Sequence, residues 1–100
     1  MRTREGRYET WFAPLPNAST NGPGWTATNV GAGNYDIRVT DPAYRFVTVS
    51  PAPNPGGTQS QTSSALSESP PRMQVQFLSG TGAAGSYGGY VAIHVQRKTA

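Results

Sequence analysis

Apolar and polar residues alternate one by one in three stretches of this 100-residue chain. The stretches are 35–39, 73–77 and 91–95, and in the first of them Asp36 and Arg38 separate three apolar side chains. Successive side chains of a β-strand point to opposite faces, so a period of two predicts strands with one buried face. A helix would instead repeat its apolar residues every three or four positions. The three stretches therefore predict an all-β protein.

Weaker alternation at 7–12, 25–30 and 45–50 raises the expected number of short strands to about six to eight. The segment 31–34 predicts a tight hairpin, because its glycines adopt positive φ without a steric penalty. With 12 Gly and 9 Pro the chain is rich in turn formers. No segment has the pattern of the crossover helix that parallel strands need. We therefore expect an antiparallel, jelly-roll-like β-sandwich.

A single domain is expected over residues 1–100, because a chain of this length typically forms one core. Within it we expect a basic N-terminal tail at 1–6, a long Pro/Ser/Gly loop at 51–71 and a Gly-rich loop at 79–89. Large aliphatic residues are scarce, so burial against identical copies is an expected source of stability. The absence of cysteine excludes disulfides and thiolate metal sites. No apolar run is long enough to cross a bilayer, so no membrane insertion is expected.

Few side chains are available for catalysis. The chain has five acidic residues and one histidine, and no pair of them shares a local geometry suited to acid–base chemistry. His94 lies between two residues predicted to point inward, which places it on the outer face of its strand. Residues 80–85 match G-x-G-x-x-G, but a strand rather than a helix follows them, which disfavours dinucleotide binding. We therefore expect a protein that is not an enzyme and has neither cofactor nor metal.

The chain is basic, with a net charge of +3 and a pI near 9.7. Basic residues cluster at both termini, with Arg2, Arg4 and Arg7 at one end of the chain and Arg97 and Lys98 at the other. If the first and last strands are neighbours, these residues form one patch that contacts phosphate or an acidic protein surface. We therefore assign partner binding to these five residues. Nucleic acid is not the expected partner, because basic and aromatic residues do not interleave as they do in single-strand binders.

The stretch 24–39, which reads GWTATNVGAGNYDIRV, resembles the small β-sandwich domains at the tips of tailed-bacteriophage tail fibres and in related virion appendage or decoration proteins. Residues 44–51 resemble the strand after the glycine-turn hairpin, 73–78 the next strand and 89–95 the closing strand. The resemblance covers about residues 24–97. A fibre tip normally follows a long shaft with its own repeats, which this chain does not show. A spike, a head decoration and a fragment of a longer fibre therefore all stay open.

This resemblance implies a non-enzymatic structural protein of the virion, a homotrimer that attaches to a host cell-surface glycan or to other virion proteins. Loops on a rigid scaffold would carry the contacts. The aromatic rings expected to stack on a sugar are those of Tyr87 and Tyr90, followed by Trp25 and Tyr44, with packing in the core or between subunits as the alternative role of each. The alternative function is that of a carbohydrate-binding β-sandwich module in a cellular protein.

Overall fold

The computed structural model describes residues 6–53 and 57–99, which form eight β-strands. The strands are β1 (Tyr8–Leu15), β2 (Thr20–Gly22), β3 (Trp25–Gly31), β4 (Asn34–Val39), β5 (Tyr44–Pro53), β6 (Gly57–Ala65), β7 (Arg72–Ser79) and β8 (Gly89–Arg97). All paired neighbours are antiparallel. The described part of the chain contains no helix that is long and apolar enough to span a membrane. The prediction of an antiparallel β-sandwich is confirmed.

The strands form two sheets that enclose one core. The first sheet has the order β1-β8-β5, and the second has the order β2-β3-β4-β7-β6. The three stretches with the clearest alternation became β4, β7 and β8, and each of these strands lies inside its sheet rather than at an edge. Their inward residues are buried together, while their polar neighbours face out. Alternation is strongest in these strands because each has a neighbouring strand on both sides and the opposing sheet covers its inner face.

The predicted hairpin at 31–34 joins β3 to β4. Gly31 and Gly33 both have positive φ, at 97° and 73°, as the glycine-based turn requires. A Cβ at Gly33 would lie 2.8 Å from the carbonyl oxygens of Phe77 and Gly85, so the close approach of three backbone segments also requires glycine there. The local sequence thus explains both the conformation of this turn and its packing.

The segment 51–71, expected to be a loop, was predicted wrongly, because β5 extends into it and β6 lies within it. β6 is an edge strand of the five-stranded sheet, and its described side chains are Gln, Ser, Thr and Ala. The residues Ser60, Thr62 and Ser64 are paired with buried residues of β7 but are themselves exposed. The described side chains of this strand are exposed or only partly buried on both faces, so neither face needs apolar residues and no alternation marks it.

All strands run between two ends of the sandwich, whose longest dimension is 54 Å. End A carries the turn at 40–43, the loop at 66–71, the start of β1 and the end of β8. End B carries the connections at 16–19, 32–33 and 80–88. The last of these lies within the Gly-rich loop predicted at 79–89.

Tyr35 connects the two sheets near end B. Its fully buried ring packs edge to face against Phe77 at a centroid distance of 6.0 Å. Its hydroxyl donates to the Leu15 carbonyl oxygen at 3.2 Å and accepts from the Asn17 backbone N–H at 2.8 Å. Burial raises the pKa of this phenol above its ordinary value, so the neutral form that donates is favoured. The hydroxyl thereby fixes the point where the chain leaves one sheet for the other.

Replacing Tyr35 by Phe is expected to lower the free energy of unfolding by about 1–3 kcal/mol, because a buried C=O and a partly buried N–H both lose the phenol as a partner. Urea denaturation measures this change. The control is Tyr8→Phe, since Tyr8 is exposed and its variant should stay within about 0.5 kcal/mol of the parent. Equal stability of the two variants would contradict the role given to the Tyr35 hydroxyl.

Candidate functional site

Charge is distributed unequally along the molecule. Of the Asp, Glu, Lys and Arg residues in the described ranges, Asp36 lies in the middle of β4 and the others lie toward end A: Arg7, Glu9, Arg38, Asp41, Arg45, Glu68, Arg72, Arg97 and Lys98. The cause is visible in the sequence, where 10–35, 46–67 and 73–96 contain no Asp, Glu, Lys or Arg. The runs 46–67 and 73–96 each cross to end B and return, and 10–35 passes both of its end-B connections, 16–19 and 32–33, without a charge. End B and the parts of the strands next to it are therefore uncharged in the described residues.

The outer face of the three-stranded sheet carries two exposed aromatic side chains in this uncharged region. Phe12 on β1 is 73% exposed and Tyr90 on β8 is 57% exposed. Phe12 pairs with Ala92 and Tyr90 with Pro14, so the two aromatic residues are diagonal neighbours on one face. Their Cα atoms are thus about 7–8 Å apart. We call this surface, which extends from Tyr90 and Phe12 to His94 at its end-A border, the aromatic face.

His94 connects the three strands across the aromatic face. Its Nδ1 lies 3.2 Å from Thr10 Oγ1 on β1, and its Nε2 lies 2.9 Å from Ser50 Oγ on β5. The prediction that His94 points away from the core agrees with this position. These hydrogen bonds fix the imidazole plane, and they present hydroxyl and ring N–H groups beside the aromatic rings.

A serine hydrogen-bonded to a histidine is also the first half of a nucleophile–base arrangement. Here a hydroxyl, that of Thr10, occupies the position on Nδ1 where a carboxylate would orient and stabilise a protonated imidazole. The nearest acid in sequence, Glu9, faces the other side of β1, where it accepts from the Tyr44 hydroxyl at 3.0 Å. Within residues 6–53 and 57–99, no three His, Asp or Glu side chains are grouped so that they could hold a metal ion. The geometry of the aromatic face thus suits binding better than group transfer.

The four aromatic residues assigned to ligand binding lie in three different places. Tyr90 is on the aromatic face, and Tyr87 is partly buried against the core at end B. Trp25 is only 6% exposed and belongs to the core, where it packs beneath Gly22. Tyr44 is at end A, in edge-to-face contact with Trp11 at 4.9 Å. The structure therefore does not bring these four together into one site.

The sequence interpretation missed Phe12, although the signal was present. Trp11 and Phe12 are consecutive in a predicted strand, so only one of the two can face the core. Trp11 packs against the core, which leaves Phe12 outside. A surface phenylalanine next to an inward tryptophan was therefore implied by the strand prediction itself.

Of the five terminal basic residues assigned to partner binding, the three that the structure describes lie at the same end of the molecule. The start of β1 pairs with the end of β8, which places Arg7 beside Arg97, and Lys98 follows at the same end. The Arg97 guanidinium lies over the Tyr44 ring at 5.8 Å from its centroid. Arg2 and Arg4 lie outside the described residues. Burial raises the pKa of Tyr44, and its hydrogen bond to Glu9 acts in the same direction, so the Tyr44 hydroxyl stays a donor there.

No protein-family model, curated protein or solved structure matches this chain. The resemblance of residues 24–97 to tail-fibre tip domains therefore remains a prediction. The function is argued below from the surface itself.

Substituting Phe12 by Thr should change the free energy of unfolding by no more than about 0.5–1 kcal/mol, because the ring is mostly in solvent and threonine keeps the β-propensity. Thermal or urea unfolding measures this. The matched core variant Phe77→Leu, at a fully buried position, should lose distinctly more. A Phe12 variant as unstable as the Phe77 variant would show that Phe12 serves packing rather than recognition.

Proposed function

We propose that this chain is a non-enzymatic attachment domain whose aromatic face binds a neutral, hydroxyl-rich ligand, namely a glycan. The observation that carries the proposal is the exposure of Phe12 and Tyr90 side by side on the part of the sheet face toward end B, where the described residues include no Asp, Glu, Lys or Arg. A neutral polyol offers no ion-pair partners, so a surface that recognises it needs ring faces and neutral hydrogen-bonding groups. The aromatic face supplies both.

Phe12 is the stronger of the two indications. A fully apolar ring that is 73% exposed adds nothing to the core, and exposed apolar surface is typical of contact sites. Aromatic rings stack on the apolar C–H faces of sugar rings while their edges stay near polar groups. Thr10, Ser50 and His94 lie within the same face and offer donors and acceptors to the hydroxyls of such a ligand.

For the biological setting, the virion is the leading proposal. A fibre tip, spike or decoration subunit that attaches a particle to a surface glycan, or to other virion proteins, agrees with the residues that resemble tail-fibre tips and with a rigid β-scaffold. A carbohydrate-binding module of a cellular protein would use the same aromatic face. The two settings differ in assembly, because the appendage acts as a homotrimer and the module acts as a monomer.

Titration with neutral oligosaccharides tests the binding proposal. On a glycan array, and then by calorimetry with cello-, malto-, xylo- and chito-oligosaccharides, we expect binding to at least one neutral glycan. Phe12→Thr and Tyr90→Thr should each weaken it about tenfold or more, since a stacked aromatic ring contributes on the order of 1–3 kcal/mol. The affinity should hardly change between low and high salt, because the contacting surface carries no charge.

The control variant is Tyr8→Thr, which removes an exposed aromatic ring from the same side of β1 but on the end-A side of His94, outside the aromatic face and four residues, or roughly 13 Å, from Phe12. It should bind as the parent does. Binding only to sialylated or sulfated glycans, or full binding by the Phe12 variant, would refute the assignment to the aromatic face.

Light scattering on the purified chain tests the setting. The virion proposal predicts a stable particle with three times the 10.6-kDa chain mass at micromolar concentration. A monomer that binds a neutral glycan would instead support the cellular module. The Phe12→Thr variant should keep the parent mass, because its ring is assigned to the ligand and not to the subunit contact.

A further inference from the structure

A cleft of about 760 Å³ opens at end A, the charged end of the molecule, whereas Tyr90 lies in the uncharged region toward end B. One wall is the turn at 40–43 and the first residues of β5, and the other wall is the loop at 66–71. Cavities that hold small ligands or anchoring side chains have volumes of this order. This cleft is separate from the aromatic face, which lies on the outer side of the same sheet.

The interior of the cleft is apolar. Val39 and Phe46, both buried, form its floor. Pro70, Pro71 and Leu66 form the wall on the loop side, and Leu66 is 40% exposed. An exposed leucine beside a cavity with an apolar floor leaves room for an apolar side chain from outside, since burying one stabilises a complex by about 1.5–3 kcal/mol.

The charges around the cleft favour an acidic occupant. Arg45 and Lys98 line it on the β5 side. Its two carboxylates already have partners: Glu68 bridges Arg38 at 3.2 Å and Arg72 at 3.1 Å. Asp41 accepts from the Ala43 backbone N–H at 2.9 Å. A carboxylate that enters the cleft therefore meets two cations, one acid that is paired with two arginines, and Asp41, whose carboxylate is held by a backbone N–H.

The backbone of β5 points to an extended occupant. β5 is the edge strand of its sheet, and Lys98 N–H donates to the Ala43 carbonyl at 2.9 Å. Because hydrogen-bonded and non-bonded pairs alternate in an antiparallel ladder, the Arg45 C=O faces β8 and the Phe46 N–H of the same peptide unit points away from β8, just before a bulge in β5 between Phe46 and Thr48. Phe46 also lines the cleft, so an extended chain laid along this edge would meet a backbone donor beside the apolar floor.

We propose that the end-A cleft binds an extended acidic peptide segment of a partner protein, with one apolar side chain in the cleft, acidic residues beside Arg45 and Lys98, and a backbone hydrogen bond from the Phe46 N–H. This interface is independent of the glycan proposed for the aromatic face. The molecule then has a neutral recognition surface and, at the charged end, a site that attaches it to a protein.

Titration of ¹⁵N-labelled protein with the peptide acetyl-EEFEE-amide tests this inference. We expect saturable shifts of backbone amides in 39–46 and 66–71, including a downfield shift of the Phe46 amide proton as it gains an acceptor. Acetyl-KKFKK-amide and acetyl-EEGEE-amide should bind at least about fivefold more weakly, because one reverses the charge and the other removes the anchor. The affinity of acetyl-EEFEE-amide should fall as salt is added.

Two charge-reversal variants distinguish binding in the cleft from a general attraction between the basic protein and an acidic peptide. Lys98→Glu should weaken binding of acetyl-EEFEE-amide about fivefold or more, whereas Arg7→Glu should weaken it less than twofold. Both change the net charge equally, but Arg7 precedes β1, at the opposite edge of the sheet from β5. Equal loss in both variants, no binding by the parent, or shifts confined to end B would each overturn the proposal. Unchanged glycan binding by Lys98→Glu would confirm that the two sites are separate.

Discussion

Packing of the inner face of β8 against the inner faces of β4 and β7 is the contact on which the rest of the structure depends. Val91, Ile93 and Val95 are fully buried and share one core with Ile37 and Val75. Since these strands alternate strictly, burial of one set of residues forces the next set to the outer faces. The position of His94 and of Tyr90 is thus a direct consequence of the burial of their neighbours. The candidate recognition surface is therefore the outer face of the sheet whose inner face lines the core.

The separation of charge follows from chain length between turns. The runs 46–67 and 73–96 each span two strands and the connection between them, and 10–35 spans both connections that follow β1 and β3 at end B, so charged residues recur mainly toward end A. At that end Arg38, Arg72 and Glu68 join two strands and a loop in one network. One end of the molecule is therefore suited to charged partners and to salt-dependent binding, and the other to neutral ones.

The sequence was informative where an element buries one face and silent where it buries none. β4, β7, β8 and the glycine hairpin could be predicted because alternation and positive-φ glycine report local constraints. β6 could not be predicted, because an edge strand with two solvent-facing sides has no apolar period. In the same way, the choice among Tyr87, Tyr90, Trp25 and Tyr44 required knowledge of which rings the core uses. A large aromatic residue such as Trp25 suits either ligand binding or core packing, and only the tertiary structure shows that Gly22 covers its ring.

The amino-acid sequence by itself determined the strand type, the antiparallel sandwich and the basic character of the termini, because each depends on neighbours along the chain. The tertiary structure alone decided which residues from distant strands share a surface. Phe12 and Tyr90 are far apart in sequence and become neighbours through the β1–β8 register, and Leu66 and Lys98 line the same cleft. Register and sheet order depend on the balance of packing over the whole core, and no local pattern encodes that balance.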